Sequence, residues 1–287
     1  MTEADQRDPL VSADWLAAHL SDVVVLDASF HLPGTGRDAQ AEFLAGHIPG
    51  AQRFDIDVVA DLSSPLPHTM PPPERFAALV GNMGISNNTT VVIYEAGGPF
   101  SAPRAWWMFR AMGHPTKLLD GGLKAWREAG LPVETGPAKE RAGLTFVPAP
   151  DPSAFVDADR IAEHLATSAP VADARSTTRF EGAEPEPRAG VRPGHMPGAR
   201  NVPYAALVGP DGKLKTDAEL TAAFQDAGVD LSEPVLTTCG SGVTAAVLSL
   251  ALTRLGAQTA VYDGSWTEWG SDPNRPVVTG GAPESSR

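Results

Sequence analysis

Three motifs occur twice along this chain in the same order, so any fold proposed for it must be a duplicated one. Asp27-Ala28-Ser29, Gly46-His-Ile-Pro-Gly-Ala51 and Leu119-Asp-Gly-Gly-Leu-Lys-Ala-Trp126 return as Asp173-Ala174-Arg175, Gly194-His-Met-Pro-Gly-Ala199 and Tyr262-Asp-Gly-Ser-Trp-Thr-Glu-Trp269, at offsets of 146, 148 and 143 residues. The 287 residues hold two copies at ordinary domain size. Between the copies, Leu131 to Pro152 carries Pro132, Pro137, Pro148, Pro150 and Pro152 with few periodic apolar positions, and reads as extended chain. The expected division is a first domain over 1–138, a linker over 139–152 and a second domain over 153–287.

Within each copy, short β-branched runs alternate with amphipathic stretches. Val23–Leu26, Val91–Tyr94 and Lys117–Leu119 read as buried strands, matched in the second copy by Val171–Asp173, Val235–Thr238 and Thr259–Tyr262. Helices are expected over Trp15–Leu20, Glu74–Met83, Ala102–Met112 and Leu123–Ala129, then Ala158–Thr167, Asp217–Ala227, Thr244–Leu255 and Thr267–Gly270. The alternation predicts α/β architecture in both domains, each a mostly parallel central sheet flanked by helices. Ligands then belong at the carboxyl ends of the strands.

Charge narrows the function. With 22 basic and 35 acidic side chains, the net charge of -13 repels nucleic acid and anionic membrane surfaces. The best apolar run, Ala245–Leu252, is far below the roughly 18 residues that span a bilayer. The N-terminal MTEADQRDPL is acidic and polar and lacks the features of a secretory signal, so a cytoplasmic location is expected. The histidines outside the repeated turns are scattered, no nucleotide-binding glycine motif occurs, and neither a metal nor a cofactor is implied.

All sulfur chemistry rests on Cys239, the single cysteine. It follows the strand Val235–Thr238 and precedes the helix expected from Thr244, with Gly240, Ser241 and Gly242 between. A thiol there faces backbone N–H groups that the first helical turn leaves without acceptors. Those dipoles favour a thiolate and would equally hold a persulfide anion. The competing reading is a core cysteine behaving as a small hydrophobe. Position argues against it, and so does the first copy, where Ile93-Tyr-Glu-Ala-Gly-Gly-Pro-Phe100 has no cysteine. A phosphatase-type loop would carry arginine six residues after the nucleophile, where this chain has Ala245.

The GHIPGA and GHMPGA turns, the DAS and DAR strand ends, the LDGG and YDGSW segments and the CGSGVTA loop together resemble a tandem rhodanese-type sulfurtransferase over nearly the whole chain. The resemblance implies two rhodanese-like domains, the second one catalytic. It also bears on the donor. Thiosulfate enzymes of the family place basic residues after the cysteine, whereas 3-mercaptopyruvate enzymes have a neutral loop like Cys239-Gly240-Ser241-Gly242-Val243-Thr244. The neutral loop fits a monoanionic donor, since a dianion would gain more from charges inside it.

Arg179 and Arg188 lie in a polar segment, Arg-Phe-Glu-Gly-Ala-Glu-Pro-Glu-Pro-Arg, that the first copy lacks. Read by themselves, they either pair with Glu181, Glu184 and Glu186 on a solvated loop or grip substrate oxygens with their guanidinium groups. The resemblance implies the second, with Arg179 and Arg188 on the carboxylate and carbonyl of mercaptopyruvate. His47 and His195 occupy equivalent places in the two turns, which points first to architecture. For His47 the resemblance also implies a Ser-His-Asp proton relay assembled across the domains from Ser241, His47 and Asp38. The implied reaction is sulfur transfer through a Cys239 persulfide to cyanide or to a thiol such as thioredoxin or a small dithiol. The alternatives are a thiosulfate sulfurtransferase and a non-catalytic persulfide carrier.

Overall fold

The computed structural model describes residues 8–32 and 34–281; the acidic N-terminal residues 1–7 lie outside the described residues. The chain forms two compact units. The first comprises Met1–Ser63, Met70–Pro152 and Val208–Leu214, and the second Ser64–Thr69, Ser153–Leu207 and Lys215–Arg287. Each copy thus lends one short segment to the other unit, which a division by sequence repeat does not anticipate.

The first unit is built on β1 (Leu10–Val11), β2 (Val23–Asp27), β3 (Gln52–Arg53), β4 (Thr90–Tyr94) and β5 (Lys117–Leu119), in the order β1-β5-β4-β2-β3. The second uses β6 (Phe155–Val156), β7 (Val171–Asp173), β8 (Arg200–Asn201), β9 (Val235–Thr238) and β10 (Thr259–Tyr262), in the order β6-β10-β9-β7-β8. Every pairing in both sheets is parallel, and the two topologies are the same. The α/β expectation holds. The outer strands β1, β3, β6 and β8 have only two residues each, too few to leave an apolar period in the sequence.

Helices α1 (Ala13–His19), α2 (Ala39–Ala45), α3 (Ile56–Val59), α4 (Pro73–Asn82), α5 (Ala102–Ala111) and α6 (Gly122–Glu128) belong to the first copy. Helices α7 (Ala158–Ala166), α8 (Thr177–Phe180), α9 (Asp217–Asp226), α10 (Ala245–Arg254) and α11 (Ser265–Ser271) belong to the second. Helix α11 begins two residues before the expected start at Thr267, and Thr244 is the N-cap of α10 rather than its first turn. Five of the six tryptophans are core: Trp106, Trp107, Trp126, Trp266 and Trp269 are all buried, and the Trp126 and Trp269 indoles donate to the carbonyls of Pro132 and Pro276.

Residues 139–152 contain neither helix nor strand, as an extended linker should. They are not a free spacer. Leu144 donates to the Gly81 carbonyl, Ala149 to Met112 and Asp151 to Ala111, Asn87 bonds both backbone groups of Val147, and Phe146 is buried against Phe76. The segment is therefore strapped along the first unit by backbone bonds that its proline content does not reveal.

Candidate active site

Strand β9 delivers Cys239 at its carboxyl end, in register with β7 through the Asp173–Thr238 pair. The residue is 2 % exposed, while its neighbours Gly240 and Ser241 are half-buried. The loop is held by its carbonyls. Trp266 N–H donates to Cys239 O at 2.9 Å, and both the N–H and the hydroxyl of Thr267 donate to Gly240 O, at 2.9 and 2.6 Å. Gly242 takes φ +77°, a left-handed conformation that carries little strain only without a Cβ. With the carbonyls tied outward, no group among the described residues accepts from the N–H of Gly240, Ser241, Val243 or Thr244. Helix α10 begins at once after them, and its N-cap Thr244 makes no side-chain capping bond. The loop therefore offers backbone donors without protein acceptors next to the cysteine, an arrangement suited to an anion.

Ser265, which the sequence reading passed over, anchors this loop from the other side. Its Oγ accepts from Cys239 N–H at 3.2 Å and donates to Tyr262 O at 2.8 Å, while its own backbone sits at φ +49°. The equivalent residue of the first unit is Gly122, at φ +58°. A left-handed position filled by serine where the other copy has glycine is a signal that aligning LDGG with YDGS would have exposed.

Helix α8 brings Arg179 over the same loop: a Cβ placed on Gly240 would lie 3.0 Å from its Nη2. Arg179 is ion-paired to Glu186, whose other oxygen takes Arg175 Nη1 at 2.8 Å. Arg175 in turn clamps Asp173, Nη2 to Oδ2 at 2.6 Å, donates to Gly194 O at 2.9 Å and lies over the Trp266 ring at 4.4 Å. Asp173, Arg175 and Glu186 have side chains 1–4 % exposed, whereas Arg179 keeps 24 %. Burial would pull the Arg175 pKa down, but the charges of Asp173 and Glu186 outweigh it and raise the value above normal. The solvated-loop pairing weighed for Arg179 is thus present in its Glu186 half, but in buried form and beside the cysteine. Arg188 is half-buried on the same segment, and among the described residues no hydrogen bond or ion pair engages its guanidinium.

Asp38 and His47, expected together in a relay, lie at opposite ends of helix α2. Asp38 caps α2, its Oδ1 accepting from Gln40 and Ala41 N–H at 2.9 and 3.0 Å. His47 follows the other end of that helix, stacked on Phe43 at 3.9 Å with Nδ1 donating to Phe43 O at 2.8 Å. A seven-residue helix between them keeps aspartate and imidazole apart, and spacing along the chain cannot disclose that Asp38 is committed to capping. His195 has the same arrangement, stacked on Phe180 at 3.7 Å and bonded to Phe180 O at 2.8 Å. Its architectural role is as expected. In His47 the carbonyl bond engages Nδ1, and Nε2 lies 4.0 Å from Glu134 Oε2.

The first unit carries an acid at the matching place of its own loop. Ala28 N–H bonds Tyr94 O as Ala174 N–H bonds Thr238 O, both at 2.8 Å, and Leu123 N–H bonds Glu95 O as Trp266 N–H bonds Cys239 O. Glu95 therefore occupies the cysteine position. Its carboxylate turns into the loop and accepts from Phe100 N–H at 2.7 Å, Ala102 N–H at 3.0 Å and Ser101 N–H at 3.1 Å, with Ser101 Oγ at 3.0 Å. Burial pushes this carboxyl up to about 7 against the pull of those donors. Ser101 suits either state, since its hydroxyl can donate to Ala28 O, 2.8 Å away, while accepting from a protonated Glu95.

A folded-state value raised above the unfolded one means that the folded chain keeps a proton the unfolded chain has lost. Stability should therefore fall as pH rises from about 4.5 to about 7 and level off above, by roughly 3 kcal/mol at most. Thermal unfolding of wild type and E95Q across that range checks this. The wild type should lose stability relative to E95Q as pH rises, and parallel curves would remove the acid from the ledger.

A rhodanese-like domain model matches residues 12–129 and 157–272. The chain is 45 % identical to human 3-mercaptopyruvate sulfurtransferase over 276 residues, 91 % of each chain. A solved structure of the Escherichia coli 3-mercaptopyruvate enzyme SseA superposes with a TM-score of 0.82 at 42 % identity, covering 90 % of this chain and 98 % of that one. The thiosulfate sulfurtransferase of Cricetulus griseus is 41 % identical over 272 residues, 91 % of each.

Proposed function

The chain belongs to the rhodanese family, with two tandem rhodanese-like domains, and on that premise we propose that it transfers the sulfur of 3-mercaptopyruvate through a persulfide on Cys239. The observation that carries the proposal is the neutral donor-lined loop, Cys239 to Thr244, with one guanidinium, Arg179, at its edge. The small-molecule donor agrees with the 3-mercaptopyruvate relatives at 44–45 % identity.

The thiolate of Cys239 attacks the donor sulfur. The new S–S bond forms as the carbon–sulfur bond breaks, its electron pair leaves on the pyruvate enolate, and the donor thiol's proton ends on the methyl carbon. The products are pyruvate and Cys239–S–S⁻. The N–H groups of Gly240, Ser241, Val243 and Thr244 hold the anion, while Gly242 supplies the turn. Arg179 and Arg188 take the donor's carboxylate and carbonyl. His47 is the candidate to accept and return the donor thiol's proton, and Asp38 caps the helix that precedes it. A thiol such as thioredoxin or a small dithiol, or cyanide, then removes the outer sulfur and restores the thiolate. A reduced thiol nucleophile suits the cytoplasm, where we place the enzyme. Among the described residues no helix is long and apolar enough to cross a membrane.

Donor choice is tested by kcat/KM for 3-mercaptopyruvate against thiosulfate. A preference for thiosulfate would move the chain to the other branch, a reading that the hamster relative makes concrete. Pyruvate release that stops after one equivalent would make it a carrier. R179A should lower kcat/KM for mercaptopyruvate about 10- to 100-fold, the worth of charge-assisted hydrogen bonds. R179K should recover only part, because an ammonium cannot present a planar fork. Equal losses of kcat/KM with a donor lacking a carboxylate would show that Arg179 does not read that group.

A further inference from the structure

Glu95 is an acid 6 % exposed, at the head of a loop, in a unit without the sulfur nucleophile. The register places its Cα where the second unit has Cys239, and the helix that follows in each unit lacks a side-chain cap from its own N-cap residue. The two loops differ in what fills them. In the second, the N–H groups of Gly240, Ser241, Val243 and Thr244 meet no acceptor among the described residues. In the first, three successive N–H groups and a hydroxyl converge on the two oxygens of Glu95. The filled loop is also closed from above by the segment that the second copy lends: a Cβ on Gly98 would lie 3.0 Å from Gly212 O, Leu214 N–H donates to Asp120 Oδ1 at 3.1 Å, and Lys124 Nζ donates to Asp211 O at 3.0 Å.

We propose that the first unit carries a built site for a small carboxylate anion, occupied in the native protein by its own Glu95, at the position where the second unit carries its nucleophile. The site has a defined occupant geometry, with Oε1 bonded by the amides of Phe100, Ser101 and Ala102 and Oε2 by the amide and hydroxyl of Ser101. A tethered carboxylate meets these donors at high effective concentration, so an external carboxylate substrate cannot displace it. The first copy is thereby silent for anion capture as well as for sulfur attack. This inference stands apart from the sulfur-transfer reading, since it uses only the first unit.

Shortening Glu95 to alanine removes a methylene and a carboxylate, which together are acetate. E95A should therefore unfold at a lower temperature than the wild type in sodium chloride, and regain part of that loss as sodium acetate replaces chloride at constant ionic strength, with saturation. E95Q keeps the cradle filled and should show the same unfolding temperature in both salts, as should the wild type. If E95A does not fold in chloride, its refolding yield in acetate against chloride takes the place of the unfolding temperature. An E95A protein that responds to acetate no more than the wild type, in temperature or in yield, overturns the proposal. Pyruvate release by E95A, per folded molecule, should match the wild type, which separates a failure here from a failure of the sulfur-transfer reading.

Discussion

Replacing Cys239 by serine should leave a folded protein that releases pyruvate from 3-mercaptopyruvate at least roughly a thousandfold more slowly than the wild type. The physical reason is the reacting atom. A serine hydroxyl stays protonated at neutral pH and is a far weaker nucleophile towards sulfur, and nothing else can substitute, because the chain contains no other cysteine. The fold should tolerate the change. The loop is held by Trp266, Thr267 and Ser265 through the backbone of Cys239 and Gly240, none of which the substitution alters. Mass spectrometry gives the direct reading: wild type treated with mercaptopyruvate and no acceptor should gain one sulfur, and C239S none. A C239S protein that still turned over within tenfold of wild type would place the nucleophile elsewhere.

The second large effect is on stability. Arg175→Met should destabilise the second unit by about 3–5 kcal/mol, the range for stranding a buried partner charge. Arg175 lies between Asp173 and Glu186, and all three side chains are 1–4 % exposed. Removing the guanidinium leaves Asp173 ionised among buried groups and deprives Gly194 O of its donor. Glu186 retains Arg179, so most of the loss belongs to Asp173. The double variant R175M/D173N should accordingly recover part of the loss, because it discharges the stranded carboxylate. Denaturant unfolding of the wild type and both variants decides this. No difference between the single and double variants would mean that packing over Trp266, at 4.4 Å, rather than charge, is what Arg175 supplies.

These two residues differ in how far the sequence exposed them. Cys239 stood out because a strand, a glycine-bearing turn and a helix follow one another there within a few residues, and such a signal is local. Arg175 is visible only as the residue that replaces Ser29 when the DAR strand end is matched to DAS, with nothing to mark it as the hub between Asp173 and Glu186. Glu186 was read as one of three acids on a polar loop, yet its side chain is 4 % exposed and joins two arginines. Ser265 left a trace in the mismatch between LDGG and YDGS, and Glu95 left one in the loop without cysteine. Neither trace says which donors the side chain meets. Nothing in the sequence marks Asp38 as a helix cap, since helix-capping and proton relay both ask for an aspartate.

The amino-acid sequence alone determined that the chain is a duplicated α/β protein with parallel sheets, that the second copy is the one with the cysteine, and that its loop is neutral. These follow from repeated turns, strand-length apolar runs and glycine placement, all of which act over a few residues. Tertiary structure decided the rest: Arg179 at the loop, the buried Asp173–Arg175–Glu186 chain, the separation of Asp38 from His47, the strapping of residues 139–152, the segments Ser64–Thr69 and Val208–Leu214 that change unit, and Glu95 turned into its loop. Burial and ion pairing bring together residues that the sequence keeps apart, and their energies depend on which groups share a low-dielectric site rather than on neighbours along the chain.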